Sequence, residues 1–437
     1  MAALPQPCFD ADLRWAIGDV HTGAVTEVPT APRWGLRLLL TTVALLPLGL
    51  LGGLVVSAEL RAKRLAETLV SEAVAQAGFS RERTPARGAQ PGSVTDCLAL
   101  ALDAAPDVSR DAPWLSPQVL EVRAGKAPLE SLPATALEAL TKHDPWLRAT
   151  LGCTHLTTMT PVAGLGPLAE PLHARRWALP KLQEATAALA PLRVRLLVEH
   201  GQFREALEVC SDGLALVGDL LWLEGPEASL GALGQSTGLV QPCADAVWKA
   251  TDEALVTSFV TELEQISRNA PPYSRVVQLE RVAQEVRMFG AFFTAAQVAR
   301  LPVGARSMVS AFAPSRLERV GLARWWSSCD RAFLGVIAAA DLPEPARTRS
   351  ILAAQRDFES RWLSLVRVPP LDVRYQMYAE SHEVLPMSLE VLLVTAALRT
   401  AGAPPTRFID VKKTSEGFEL SPRASEWRPL FVSLPAR

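Results

Sequence analysis

The sequence predicts a mainly α-helical protein. It reads as an N-terminal transmembrane helix, an α-helical domain of hairpins with solenoid-like packing, and a small antiparallel β element at the C-terminus. Three observations carry this. Leu38 to Ala58 (LLLTTVALLPLGLLGGLVVSA) runs 21 residues without a charge. From Val94 to about residue 402, apolar residues recur every three or four positions, the period of a helix face. After Arg407 the chain breaks into short β-like runs joined by turn formers.

The elements follow in chain order. Residues 1–35 are rich in turn formers and lack apolar periodicity, so they read as a flexible cytoplasmic tail. Phe9, Trp15 and Ile17 give that tail some capacity to dock. Residues 36–58 form the transmembrane helix. At 1.5 Å per residue its uncharged run covers about 31 Å, close to the hydrocarbon thickness of a bilayer. Trp34 stands just before it as an interfacial anchor, and Pro47 with Gly52-Gly53 is tolerated in a membrane helix. A buried core helix and a cleaved signal peptide are the alternatives. Uncharged runs of this length are uncommon in soluble cores. Val56-Ser57-Ala58 suits cleavage, but 37 residues precede the run, far more than a short basic leader. An uncleaved signal anchor is therefore favoured.

Arg33 and Arg37 flank one side of the span; Arg61, Lys63 and Arg64 flank the other. The positive-inside rule is nearly balanced and leans slightly toward the opposite orientation, so the simplest topology decides. It keeps the short tail in the cytoplasm and exports the large domain. Arg outnumbers Lys 37 to 7, the mark of a GC-rich and hence bacterial genome. The expected location is a bacterial inner membrane, single-pass, with the domain in the periplasm.

Residues 59–79 continue as a juxtamembrane helix, with Leu60, Leu65, Leu69 and Val74 near helical spacing and Gly78 as its stop. The polar stretch 80–93 (SRERTPARGAQPGS) reads as a linker, which sets the domain boundary. The α-helical domain occupies 94–402. Its expected helices are 97–105, 133–142, one starting at Asp144-Pro145, 178–200 with a break at Pro191, 203–221, 226–240, 242–269, 275–300, 314–340, 343–366 and 388–400. Residues 152–176 read as irregular. In 203–221 Phe203, Leu207, Cys210, Leu214, Val217 and Leu221 share one face; Leu322, Trp326, Cys329, Phe333 and Val336 repeat that spacing. Residues 403–437 form the β element, with strands at 407–413, 417–420 and 429–434.

The run 201–216, GQFREALEVCSDGLAL, resembles the second half of a tetratricopeptide repeat. The matching positions are Gly201, Phe203, Ala206, Leu207, Leu214 and Leu216, with Cys210 in place of an aromatic residue and Gly213 in place of Ala. Gly201 permits the tight turn, and Ala206 lets helices approach. No second copy lies 34 residues away in either direction, so the match implies one helix hairpin and no array. ALEALTKHDPWLRATL (136–151), the hairpin 193–221 and the terminal GFEL together resemble single-pass, membrane-anchored helical proteins of GC-rich bacteria. That resemblance implies an architecture and no activity.

Composition excludes several classes. With 49% apolar and 21% charged residues, extensive disorder is excluded. A net charge of −2 argues against a nucleic-acid partner. Six cysteines in 437 residues exclude a disulfide-dense scaffold.

No residue is assigned a catalytic, cofactor-binding or metal-binding role, and no cofactor is expected. Gly234-Gln235-Ser236-Thr237-Gly238 fits G-x-S-x-G, but a hydrolase elbow needs a preceding strand. A helix break or turn is expected there instead. Cys153 and His155 lack a second ligand pair. Glu380, His382 and Glu383 read as a solvated helix end. Trp222, Trp325 and Trp326 read as core rather than a ligand groove. Cys210 and Cys243 sit on neighbouring helices that can bring their Cα atoms to about 6 Å, so they are the preferred disulfide. Two buried free thiols are the alternative, and Cys329 reads as core. The expected function is a membrane-anchored extracytoplasmic scaffold or binding module, leaning away from an enzyme. Its expected partners are membrane lipid through 38–58 and a protein of the cell envelope. A membrane-anchored hydrolase with a dispersed site, or a cytoplasm-facing regulator if the topology is reversed, are the alternatives.

Overall fold

The computed structural model describes residues 33–77, 80–107, 114, 116–159, 178–223, 226–309, 316–343, 345–361, 372–400, 406–423 and 431–436. The expected flexible tail, apart from its last three residues, lies outside them. Contacts divide the chain into a unit ending at Leu54 and a unit of Val55–Arg437.

The chain is mainly helical and ends in a small antiparallel three-stranded sheet. It begins with α1, Arg33–Ala77, followed by strands β1, Arg81–Glu82, and β2, Gln90–Ser93. Then come α2, Val94–Asp103, α3, Pro117–Arg123, α4, Ala134–Gly152, and β3, Leu156–Met159. The central helices are α5, Ala178–Glu199, α6, Phe203–Leu223, α7, Pro226–Lys249, α8, Glu253–Asn269, and α9, Tyr273–Phe289. Short α10, Ala295–Arg300, and α11, Val303–Met308, precede α12, Arg316–Ala340, α13, Ala346–Arg361, and α14, Asp372–Arg399. The terminal sheet is β4, Ile409–Thr414, β5, Gly417–Pro422, and β6, Val432–Pro435, in the order β4-β5-β6.

Helix α6 is the centre of the main core. Leu207, Cys210, Leu214, Val217 and Leu221 are buried there, as their spacing predicts. The α5–α6 turn is closed by Gln202 N–H donating to Leu197 O at 2.8 Å, with Gly201 at φ +70°. That is the left-handed conformation which a glycine after a helix supplies at least cost. Asp252 caps α8 by accepting from the amides of Ala254 and Leu255.

Several expected helix ends fall beside prolines that the fold carries inside helices. Pro145, Pro191, Pro242 and Pro386 all lie inside continuous helices. Each forfeits a backbone hydrogen bond and costs about 3 kcal/mol in an isolated helix. Tertiary burial of these helices offsets it. Hence α4 does not restart at Asp144, α7 runs past Pro242, and α14 begins well before Ser388. The expected irregular stretch likewise contains β3.

The pattern expected for 59–79 also needs correction. Leu60 and Val74 are exposed; the buried face of α1 is Ala58, Ala62, Ala66, Leu69, Val70 and Ala73. Alanine is too weakly apolar to stand out in a hydropathy pattern, but its small side chain lets helices approach closely.

In the terminal sheet Gly417 pairs with Thr414 and Pro435 at φ +143°. A Cβ there would lie 1.9 Å from the backbone oxygen of Leu434. Gly417→Ala is therefore expected to destabilise the sheet by about 1–3 kcal/mol from backbone strain alone, with displacement of β6 added. Loss of amide protection in 409–435 checks it.

Candidate functional site

The segment expected to be a linker instead forms a charged interface with the core. β1 pairs antiparallel with β3, through Arg81 opposite Met159 and Glu82 opposite Thr158, and β2 pairs parallel on the other side. This pairing carries the 81–88 stretch across α6 and α8. Arg83 turns inward and is nearly fully buried. It pairs with Asp219 of α6 and donates to the carbonyl oxygen of Thr154.

Four residues on, Arg87 grips Asp212 with two bonds, Nε to Oδ1 at 2.9 Å and Nη2 to Oδ2 at 2.7 Å. Its Nη1 lies 3.4 Å from Glu208. His155 Nε2 also reaches Asp212 Oδ1 at 3.0 Å. Gly88, at φ +57°, sits over that imidazole; a Cβ there would lie 3.3 Å from Nδ1. Ser211 Oγ donates to Glu262 of α8 at 2.5 Å.

The periphery is equally committed. Arg81 donates to the Asn269 carbonyl at 2.9 Å, and its guanidinium lies 4.4 Å from the Trp222 ring centroid. Trp222 Nε1 donates to the same carbonyl at 2.7 Å. The Asn269 and Gln265 side-chain amides donate to Thr84 O at 2.8 and 3.1 Å.

Two disulfides hold the elements that carry this cluster. Cys97 of α2 joins Cys153, with Cα atoms 5.6 Å apart. Cys210 of α6 joins Cys243 of α7, with Cα atoms 5.8 Å apart. Cys153 directly precedes Thr154 and His155, and Cys210 directly precedes Ser211 and Asp212. Each covalent link thus fixes a pair of cluster residues.

Burial pushes the Asp219 carboxyl up to about 6, with Arg83 and Arg81 opposing. Burial also raises Glu262, against its bond from Ser211 and the charge of Arg87. The chemistry of the cluster is that of a clamp. Ser211 donates to a carboxylate rather than to the imidazole, and His155 and Arg87 share Asp212.

The other sequence candidates disperse. Gln235 and Ser236 are buried in the middle of α7, which continues unbroken through 234–238. The expected helix break is absent: α7 packs along α5, α6 and α14, and Leu239 and Val240 just beyond the motif are buried. Cys153 bonds Cys97, away from any role beside His155 as a ligand. His382 and its neighbours are not a solvated helix end. His382 is buried, its ring centroid 5.4 Å from that of Tyr273, and burial lowers its pKa to about 4. Glu383 accepts from Arg347 at 2.7 Å. Trp326 is fully buried and stacks on Phe289 at 5.0 Å between centroids, and Trp325 packs edge-on against the same ring.

The ionic cluster had a signal in the sequence. Asp212 and Asp219 interrupt a helix that is buried on nearly every side. Buried carboxylates require partners, and three arginines stand in the polar stretch 81–87. No family model, curated protein or solved structure matches this chain.

Proposed function

We propose that the chain is a membrane-anchored helical module of a bacterial cell envelope. Residues 38–58 serve as the lipid anchor, and the domain lies outside the cytoplasm. There it acts as a non-enzymatic scaffold or binding module for an envelope protein. Nucleic acid is not among its proposed partners.

The anchor reading is supported by the exposure of α1. Val43, Leu45, Leu46, Leu50, Leu51, Leu54 and Val56 are all exposed large apolar side chains. Such a run in water is unfavourable by roughly 25 cal/mol per Å², and lipid removes that cost. A contrasting segment, Ala379–Arg399, is also long and apolar enough to span a bilayer, but 67% of its window is buried in the fold. It therefore reads as a core helix.

The observation that carries the extracytoplasmic reading is the pair of disulfides, Cys97–Cys153 and Cys210–Cys243. Cytosolic reductants keep such thiols reduced, whereas an oxidising compartment preserves the bonds.

Protease protection of a C-terminal tag tests the topology. The tag is expected to be cut in spheroplasts before lysis. A tag cut only after lysis contradicts the proposal and favours a cytoplasm-facing regulator. A tag recovered in the soluble fraction contradicts the anchor.

A further inference from the structure

A second buried charge cluster lies where α1 packs on α9 and α12. Ala62, Ala66, Leu69, Val70 and Ala73 share a core with Phe289, Trp326 and Cys329. Beside that core Arg281, 5% exposed, faces three carboxylates. Its Nη1 lies 3.0 Å from Glu72 Oε2 of α1, and its Nη2 lies 2.6 Å from Asp330 Oδ1 of α12. Its Nε lies 3.5 Å from Glu285 Oε1, one turn along α9. Glu285 is only 1% exposed. Its Oε2 accepts from Trp326 Nε1 at 3.0 Å, while Oε1 has no hydrogen-bond partner.

One guanidinium cannot balance three carboxylates, of which Glu285 is buried and Glu72 and Asp330 are only partly so. Like charges at close range in a dry site favour protonation of one of them. Glu285 is the one that the surroundings select. Burial, and then the charge of Asp330, push its carboxyl up to about 8. Trp326 and Arg281 oppose the shift, and Glu72 adds to it. Cys329 brings no competing charge, because burial, Glu285 and Asp330 push its thiol up to about 12.

We propose that Glu72, Arg281, Glu285 and Asp330 form a proton-operated latch between α1 and the α9–α12 pair. With Glu285 protonated, the 58–77 stretch of α1 stays docked; ionisation loosens it. The inference rests on the packed end of α1 and does not depend on the membrane reading.

The direction of the effect follows from linkage. On this proposal undocking removes Glu72 and opens the α9–α12 pair to water, so the Glu285 carboxyl falls toward 4.5 and undocking releases a proton that the docked state holds. Docking is therefore strongest at low pH, weakens as pH rises from about 4.5 to 8, and levels off above 8. Between pH 6.5 and 9 the two values give a loss of about thirty-fold in the docking equilibrium.

Hydrogen exchange of the full chain in detergent, corrected for intrinsic rates, reads this directly. Protection of 58–77 is expected to fall by about thirty-fold from pH 6.5 to 9, while the α5–α6 hairpin holds its protection. Glu285→Gln keeps an acceptor for Trp326 and cannot ionise, so its protection is expected to be independent of pH. Asp330→Asn removes the largest neighbouring charge, so its transition is expected at lower pH than in the wild type. Wild-type protection that does not change with pH overturns the latch. So does an equal loss across the α5–α6 hairpin, which marks global unfolding. A Glu285→Gln protein that keeps the wild-type dependence overturns it as well. Should that variant fail to fold, an Asp330→Asn transition at the wild-type pH does the same.

Discussion

Arg83→Met is expected to lower unfolding stability at pH 7 by about 3–5 kcal/mol, the cost of leaving one member of a buried ion pair alone. Arg83 and Asp219 have side chains 2% and 5% exposed, so little water can replace the lost partner. The substitution also removes the donor to Thr154 O and so weakens the hold of β1 on the core. The loss depends on pH in a defined way. Without Arg83, burial of Asp219 goes unopposed by its nearest charge, and its folded carboxyl rises further above 3.8. The folded variant then holds a proton that the unfolded chain releases, so its stability falls as pH rises. The deficit is expected to be smaller at pH 5 than at pH 7. Adding Asp219→Leu removes the orphaned charge and is expected to restore much of the stability. Denaturant unfolding of the four-member cycle checks these values. An Arg83→Met protein within about 0.5 kcal/mol of wild type would mean that the 80–93 stretch is the loose connection its composition suggests.

Replacing Cys210 and Cys243 together by Ala is expected to cost about 4 kcal/mol. The bond closes a sequence separation of 33 residues, and the chain-entropy model gives about this value for such a loop. Both cysteines are fully buried, so the lost packing of two sulfur atoms adds to the entropic loss. The effect should be local as well as global. The link joins α6 to α7 immediately before Ser211 and Asp212, so the Arg87 and His155 contacts are expected to loosen first. A midpoint for the double variant below that of oxidised wild type, with most of the difference gone when both proteins are compared after reduction, checks the assignment. If reduction leaves the wild-type midpoint unchanged, these thiols contribute only as buried apolar groups.

Much of the helical core is legible from spacing alone. Leu207, Cys210, Leu214 and Val217 fall on one face in the sequence and are buried in the fold. The terminal strands are also legible, because alternation and the Thr414–Gly417 turn are local features. Helix ends at prolines are not. Local propensity says that Pro145, Pro191, Pro242 and Pro386 stop a helix, while long-range burial decides that they do not. The docking face of α1 is hidden for a different reason, since Ala58, Ala62 and Ala66 carry little hydropathy signal.

The ionic cluster is the least legible feature. Its two halves, Arg83 with Arg87 and Asp212 with Asp219, lie more than 120 residues apart. Their pairing depends on β1 meeting β3, and β1 has only two residues. A strand that short has no alternation to detect. Its arginines look like those of a solvated linker until the buried carboxylates of α6 are counted.

Disulfide mapping of the chain from native membranes tests most directly the claim of an exported, covalently closed helical domain. Free thiols are blocked on lysis, and the protein is digested without reduction and analysed by mass spectrometry. Peptides joined through Cys97–Cys153 and through Cys210–Cys243 are predicted, with Cys329 blocked only after denaturation. Recovery of Cys97, Cys153, Cys210 and Cys243 as free thiols in freshly lysed cells would contradict that account and return the domain to a reducing compartment.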